Sequence, residues 1–244
     1  MIMTQSTLCD YSDYDYNAKF WVNQNREYEH QLECYIVNKL LKKHASQGTS
    51  ILDAGCGFGR LFTTYQSLFS EYLLVDYANN LLQQAESSIG NIDHIHFFQQ
   101  SLYELKLPKQ VSAIISIRTL HHLNNLPTLF QRFYEHLSND GVMIIDIPNY
   151  YHLKNRFKFP FSSRQPMTEL SPMFYNYDPK YVIQELNNAG FQILEQSPVG
   201  LFRVGIIKRL FPAIWLRSIE TIITIFLKKY HISPSIYVVV KKCG

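Results

Sequence analysis

The sequence predicts an α/β fold in which a mostly parallel β-sheet carries helices on both faces. Short apolar runs of strand length alternate with longer segments whose apolar residues recur at helical spacing. Residues 111–117 are apolar almost throughout, as expected of a strand that is covered on both faces. The first apolar run passes directly into a glycine-rich turn and then into a helical pattern, which is typical of an alternating α/β architecture.

The glycine-rich turn follows a short buried strand. The apolar residues 51 and 52 predict this strand, which ends at Asp53, and glycine then occupies alternate positions, at Gly55, Gly57 and Gly59. Glycines allow a tight turn and let a ligand lie against bare backbone. A helical pattern follows the turn, with apolar residues at Leu61, Phe62, Tyr65, Leu68 and Phe69. The helix N-terminus offers N–H groups, so the turn predicts a site for a polar or negatively charged ligand group.

The second strand ends in an acid. The apolar run 72–75 leads to Asp76, and an acid at the tip of a second strand is placed to accept hydrogen bonds from both hydroxyls of a ribose. The glycine spacing is G-x-G-x-G rather than the dinucleotide pattern G-x-G-x-x-G, whose third glycine would fall at Arg60. This spacing argues against a nicotinamide cofactor.

The combination of Asp53-x-Gly-x-Gly-x-Gly and Asp76 resembles the nucleoside-binding signature of class I S-adenosylmethionine-dependent methyltransferases. The resemblance covers about residues 20–200 and returns at the last strand. It implies a Rossmann-like sheet of seven mostly parallel strands, with helices on both faces and the last strand antiparallel. It also implies S-adenosylmethionine as the cofactor.

The remaining strands and helices follow in a regular order. Further strands are predicted at residues 96–100, 111–117, 142–147, 191–195 and 235–242. Helical patterns occupy residues 28–44, 77–85, 126–137 and 178–190, the second of them beginning at a polar cap.

The resemblance implies a set of cofactor-binding residues. They are Arg26, Asp53, Gly55, Cys56, Gly57, Arg60, Asp76, Tyr77, Ser101, Leu102 and Arg118. Many relatives have an acid near position 101 to accept the adenine amino group, and here the residue is Ser101. In the leader, Tyr16 or Trp21 could lie near the sulfonium, while packing against the domain is the alternative role.

The fourth strand ends at Arg118, followed by the pair His121 and His122. Because ligands sit at the carboxyl ends of strands in open α/β sheets, Arg118 and one histidine are predicted beside the sulfur end of the cofactor. Arg118 would hold the cofactor carboxylate or an acidic substrate. His121 is the candidate general base if the methyl acceptor is a hydroxyl. The adjacent histidines have no third ligand at a metal-binding spacing, so no metal is expected.

The predicted organisation is an N-terminal helical cap, 1–48, and a methyltransferase domain, 49–244, with insertions 149–178 and 197–234. The first insertion is basic and aromatic and resembles a substrate lid, whose candidate residues are Tyr150, Lys154 and Arg156. It suggests an anionic or partly apolar substrate or a membrane surface, with a solvated loop as the alternative. The second contains an amphipathic helix, 212–229, that could pack on the sheet, form a dimer contact or lie in a membrane interface.

Composition excludes several classes. The length of 244 residues fits one generous domain, and a net charge of +3 is too small to indicate nucleic-acid binding. The four cysteines are scattered and no secretory leader pattern is present, which predicts a cytoplasmic protein with reduced thiols, with a peripheral membrane location as a further option.

Three functions remain open from the sequence. The first is a methyltransferase that acts on a small-molecule or lipid-like acceptor. The second is a catalytically inactive S-adenosylmethionine-binding partner subunit, which Ser101 keeps open. The third is a nicotinamide oxidoreductase, against which the glycine spacing and the antiparallel last strand argue.

Overall fold

The structure is a computed structural model. It describes residues 26–90, 92–158, 165–171, 174–202, 211–227 and 232–243. The leader aromatics Tyr16 and Trp21 lie outside these residues, as do residues 1–25 of the predicted cap 1–48.

A seven-stranded sheet forms the centre of the molecule. Its strands are β1 Ser50–Ala54, β2 Glu71–Asp76, β3 Ile95–Gln99, β4 Val111–Ser116, β5 Leu137–Pro148, β8 Phe191–Val199 and β9 Ser235–Lys242. The strand order is β3-β2-β1-β4-β5-β9-β8, and β9 runs antiparallel to both of its neighbours. The first five strands are parallel, so the prediction of a mostly parallel sheet with an antiparallel last strand is confirmed.

Helices cover both faces of the sheet. They are α1 Glu27–His44, α2 Phe62–Tyr65, α3 Asn79–Ile89, α4 Leu126–His136, α5 Leu153–Lys158, α6 Pro179–Asn188 and α7 Ala213–Leu227. One core layer contains Phe130 of α4 and Leu186 of α6. The other contains Leu32 of α1, Tyr65 of α2 and Leu216 of α7. The alternating side chains of β1 supply both layers, as the pleat of a doubly covered strand requires.

The helix after the glycine turn is shorter than the apolar pattern predicts. The pattern extends to Phe69, whereas α2 has four residues and ends at Tyr65. The hydroxyl of Tyr72 accepts the N–H of Phe69 at 3.2 Å and donates to the carbonyl of Gln66. These bonds give the backbone partners outside a helix, so the helix need not continue.

Other boundaries also differ from the prediction. Helix α3 starts at Asn79 rather than at residue 77, and the predicted polar cap is wrong because its N-cap residue, Ala78, has no side-chain acceptor. Strand β5 begins at Leu137, five residues early, by pairing with Val111. Strand β8 continues to Val199 through its pairing with β9, and so extends into the predicted insertion 197–234.

The first predicted insertion contains α5 and a separate two-stranded hairpin. Its strands are β6 Met167–Ser171 and β7 Phe174–Tyr177, which pair antiparallel. The hydroxyl of Tyr177 donates to the carbonyl of Leu123, and the ring is fully buried. This contact fixes the hairpin beside the segment that follows β4.

The strand order reverses direction at β1, which lies between β2 and β4. A crevice outside the carboxyl ends of the strands is expected at this point in an open α/β sheet. Among the described helices, none has the length and apolar character needed to cross a membrane.

Candidate functional site

The main cavity opens where the topology places a crevice, at the carboxyl ends of β1, β2 and β4. Ten of the eleven predicted cofactor-binding residues line it. They are Asp53, Gly55, Cys56, Gly57, Arg60, Asp76, Tyr77, Ser101, Leu102 and Arg118. The structure therefore brings together residues that are separated by up to 65 positions in the chain. The remaining residue, Arg26, precedes α1 and does not line this cavity.

Backbone hydrogen bonds hold the glycine turn against the neighbouring strand β2. The N–H groups of Gly55 and Cys56 donate to the carbonyl of Val75 at 2.8 and 3.1 Å. Gly55 has a φ of 82° and Gly57 a φ of 55°, a region that favours glycine. A Cβ on Gly55 would collide with Thr119, whereas a Cβ on Gly57 would meet only open space. The first glycine is thus required for packing, and the second leaves room against bare backbone.

Asp76 holds the turn from the opposite side. Its carboxylate accepts the N–H of Gly57 at 2.7 Å and that of Ala78 at 2.8 Å. Burial raises the pKa of Asp76, and these backbone N–H groups oppose the rise. Each carboxylate oxygen has a second lone pair, so the same group can accept hydrogen bonds from a ligand in the cavity.

Asp53 lies at the end of β1 and is 3% exposed. Burial raises its pKa to about 7, against a 2.6 Å hydrogen bond that the Tyr65 hydroxyl donates to it, and the nearby Asp76 charge adds to the rise. Its proton is therefore held far more tightly than that of an exposed aspartate.

A buried carboxylate that the sequence analysis missed joins two arginines of the cavity. Glu33 of α1 is fully buried; it pairs with Arg60 at 2.7 Å and with Arg118 through both Nε, at 2.8 Å, and Nη2, at 2.5 Å. The neutral ring of His30, whose pKa is lowered by burial and then by the Arg60 charge, lies 3.0 Å from Arg60 Nη1. One available signal was the position of Glu33 on the buried stripe of α1, between Leu32 and Val37.

Arg118 occupies an unusual backbone position. Its φ is 63°, and its N–H donates to the carboxylate of Asp146 at 2.7 Å. A left-handed conformation is costly for a residue with a side chain, and it persists only where the surroundings impose it. Asp146 and Glu33 hold the backbone and the guanidinium of Arg118 at once.

The two adjacent histidines face different cavities. His122 lines the main cavity, whereas His121 lines a second one with His152, Asp146 and Phe174 of the β6–β7 hairpin. The ring of His121 lies 5.7 Å from that of Phe174 and nearly parallel to it. Arg118 lines both cavities, so they adjoin at this residue.

The predicted lid residues do not line either cavity. Lys154 and Arg156 are exposed on α5, and Arg156 donates to the carbonyl of Tyr151 at 2.8 Å. Tyr150 packs edge-on against Tyr151 and donates its N–H to Tyr177. Within the described part of the chain, no cluster of three or more His, Cys, Asp or Glu residues could hold a metal ion.

Comparison with known proteins agrees with this geometry. A family model described as a methyltransferase domain matches residues 25–196. The chain belongs to this family. Its structure aligns with a S-adenosylmethionine-dependent methyltransferase from Clostridium acetobutylicum at a TM-score of 0.62 and 15% identity, covering 94% of this chain and 96% of that one. The N-methyltransferase NodS from Bradyrhizobium japonicum, in complex with S-adenosyl-L-homocysteine, aligns at 0.61 and 11% identity over 92% of each chain.

Among curated relatives, malonyl-[acyl-carrier protein] O-methyltransferase from Bacillus cereus is 31% identical over 109 residues. The match covers 43% of this chain and 40% of the relative, so the chain matches about two fifths of that protein's length. The family match identifies a methyltransferase domain, and the fold is that of solved S-adenosylmethionine-dependent methyltransferases.

Proposed function

We propose that this protein transfers the methyl group of S-adenosylmethionine to a small-molecule or lipid-like acceptor bound in the second cavity. The observation that carries the proposal is that Arg118 lines both cavities. Methyl transfer needs the two reactants in contact and in line, and two adjoining cavities provide that arrangement.

The residues of the main cavity fit the parts of the cofactor. Asp76 would accept hydrogen bonds from the ribose hydroxyls, and the open space above Gly57 would admit the ligand against the backbone. Tyr77, Ser101 and Leu102 would surround the adenine.

Charged groups fit the methionine end. Arg60 and Arg118 would pair with the carboxylate, since guanidinium groups bind carboxylates with charge-assisted hydrogen bonds. Asp53 and the backbone at Cys56 lie in the same cavity and would face the amino group. Arg26, at the start of α1, would approach this end only after movement of the first turn of α1.

The cofactor supplies a methyl group on a positively charged sulfur. The nucleophilic atom of the acceptor would bond to the methyl carbon as the carbon–sulfur bond broke. The leaving thioether would be neutral, so no residue would have to protonate it. The work of the protein is then alignment, together with removal of a proton where the nucleophile is a hydroxyl. His121 lies in the second cavity and is our candidate for the base that removes this proton. A carboxylate acceptor would need no base.

Two similar proteins bear on which atom of the acceptor is methylated. One curated relative is named malonyl-[acyl-carrier protein] O-methyltransferase, and a structural neighbour is an N-methyltransferase. Oxygen and nitrogen nucleophiles both fit the proposal. Tyr150, Lys154 and Arg156 would contact an anionic part of the acceptor only after movement of α5.

Titration with S-adenosyl-L-homocysteine tests the cofactor assignment. Asp76→Ala should weaken binding by at least about tenfold, or about 1.4 kcal/mol, because charge-assisted hydrogen bonds to the ribose are lost. The exposed Asp93→Ala is the matched control and should bind like the wild type. Unchanged affinity in a folded Asp76→Ala variant would refute the ribose role.

Transfer itself is tested with radiolabelled S-adenosylmethionine and a metabolite extract. Incorporation of label by the wild type, reduced in His121→Ala without loss of cofactor affinity, would support an acceptor site with a base. Cofactor binding without any incorporation would favour the inactive partner subunit.

A further inference from the structure

Helix α7 exposes a continuous set of apolar residues, although Leu216 on its inner side is buried. Trp215 and Ile222 are each 61% exposed, and Ile214 and Ile219 are also exposed. By contrast, Glu220 is 1% exposed. A surface helix of a globular protein normally shows the opposite distribution. The exposed set Ile214, Trp215, Ile219 and Ile222 is called here the outer face of α7.

Specific contacts fix this orientation. The Glu220 carboxylate accepts the N–H groups of Gly200, at 2.5 Å, and Leu201, at 3.1 Å, and also the hydroxyl of Tyr28 in α1. On the same side of the helix, the Arg217 guanidinium lies 5.2 Å from the centre of the Tyr35 ring. A rotation that buried the outer face would break these contacts and leave the buried N–H of Gly200 without the carboxylate that accepts it. A buried donor without an acceptor is costly, so the orientation with Glu220 on the inner side is favoured.

The charge around the helix indicates what the outer face meets. From Ser197 to Lys229 the sequence carries six basic residues and one acid, and that acid is the buried Glu220. Basic pairs flank α7 in the sequence on both sides, at Lys208-Arg209 and Lys228-Lys229. An apolar face with a tryptophan and flanking lysines and arginines is typical of helices that lie in the interface of an anionic bilayer. A second copy of the chain would instead bring like charges together across the contact.

We propose that α7 docks this protein on an anionic lipid surface through its outer face. Trp215 and the three isoleucines enter the boundary between headgroups and acyl chains, and the flanking basic residues attract the anionic headgroups. This goes beyond the methyl-transfer function and does not depend on which acceptor is used.

The intrinsic fluorescence of Trp215 provides a direct test. The chain has two tryptophans, so Trp21→Phe leaves Trp215 as the only reporter. With vesicles of equal parts phosphatidylglycerol and phosphatidylcholine, the emission should shift to the blue and the protein should float with the vesicles. Phosphatidylcholine alone should bind it less, and added salt should weaken binding to the anionic vesicles.

Substitutions on the outer face provide the decisive comparison. The triple variant Ile214→Ser, Ile219→Ser, Ile222→Ser should bind anionic vesicles at least about tenfold more weakly, because the inserted apolar area is lost. A matched variant with exposed apolar residues replaced elsewhere, Ile92→Ser with Leu194→Ser, should bind like its parent. Circular dichroism and affinity for S-adenosyl-L-homocysteine should be the same in both variants, which would show that the folds are intact.

Two results would overturn the proposal. One is the absence of binding to anionic vesicles, or equal loss in the matched variant. The other is a dimer in lipid-free buffer, detected by analytical ultracentrifugation, that the triple substitution converts to a monomer. That result would assign the outer face to a second copy of the chain.

Discussion

Replacing Glu33 tests whether one buried carboxylate holds the cap to the site. Glu33→Gln keeps the shape of the side chain but removes the charge that both Arg60 and Arg118 contact, so each guanidinium group loses the buried carboxylate that it pairs with. Removal of one partner from a buried pair costs about 3–5 kcal/mol. The side chains of Arg60 and Arg118 are 11% and 23% exposed, so water relieves part of the penalty. We therefore expect a loss of about 3 kcal/mol in the free energy of unfolding, near the lower end of that range.

Urea unfolding at neutral pH, followed by circular dichroism, measures this loss. The matched control is Glu135→Gln, the same substitution in an exposed pair with Arg132, both side chains being 41% exposed. An exposed pair contributes about 0–1 kcal/mol, so the control should unfold almost like the wild type. If Glu33→Gln lost no more stability than Glu135→Gln, the reasoning that Glu33 anchors α1 to the site would be wrong.

Two further predictions concern the glycine turn and Asp53. Gly55→Ala should lower the free energy of unfolding by about 2–5 kcal/mol, because of the left-handed conformation and the collision with Thr119. Gly57→Ala should lower it by about 1–2 kcal/mol and should mainly weaken binding of S-adenosyl-L-homocysteine. Equal unfolding free energies for the two variants would contradict this. Because the folded pKa of Asp53, about 7, lies above its ordinary value of 3.8, the wild type loses stability as the pH rises through this window. Asp53→Asn can still accept the Tyr65 hydrogen bond. Its free energy of unfolding, relative to that of the wild type, should rise by up to about 1.4 kcal/mol per pH unit between about pH 4 and 7. Urea unfolding of both proteins near pH 5 and near pH 7 measures this change. A difference in unfolding free energy that did not depend on pH would refute the prediction.

Local signals explain why much of the sheet could be predicted. The parallel strands contain short runs of mostly apolar residues, and the glycines and Asp76 stand at fixed positions relative to the first two strands. The predicted ends of the helices and strands were less accurate. Helix α2 ends at Tyr65 because the hydroxyl of Tyr72, a few positions further along the chain, bonds the backbone of Gln66 and Phe69. Strand β5 starts at Leu137 because it pairs with Val111 of β4. Pairing between strands is a property of the folded chain and leaves no local pattern.

The sequence by itself determined the strand-turn-helix unit, the ligand-facing turn and the acid at Asp76, because these depend on residues close together in the chain. Only the tertiary structure decided which side chains from distant parts of the chain meet around this turn. Glu33 joins Arg60 and Arg118 over 27 and 85 positions, and His121 turns into a second cavity while His122 faces the first. The same holds for α7. Its sequence shows an amphipathic helix, but which face is buried depends on Glu220 finding donors at the end of β8 and on α1, and such distant partners exist only once the chain has folded.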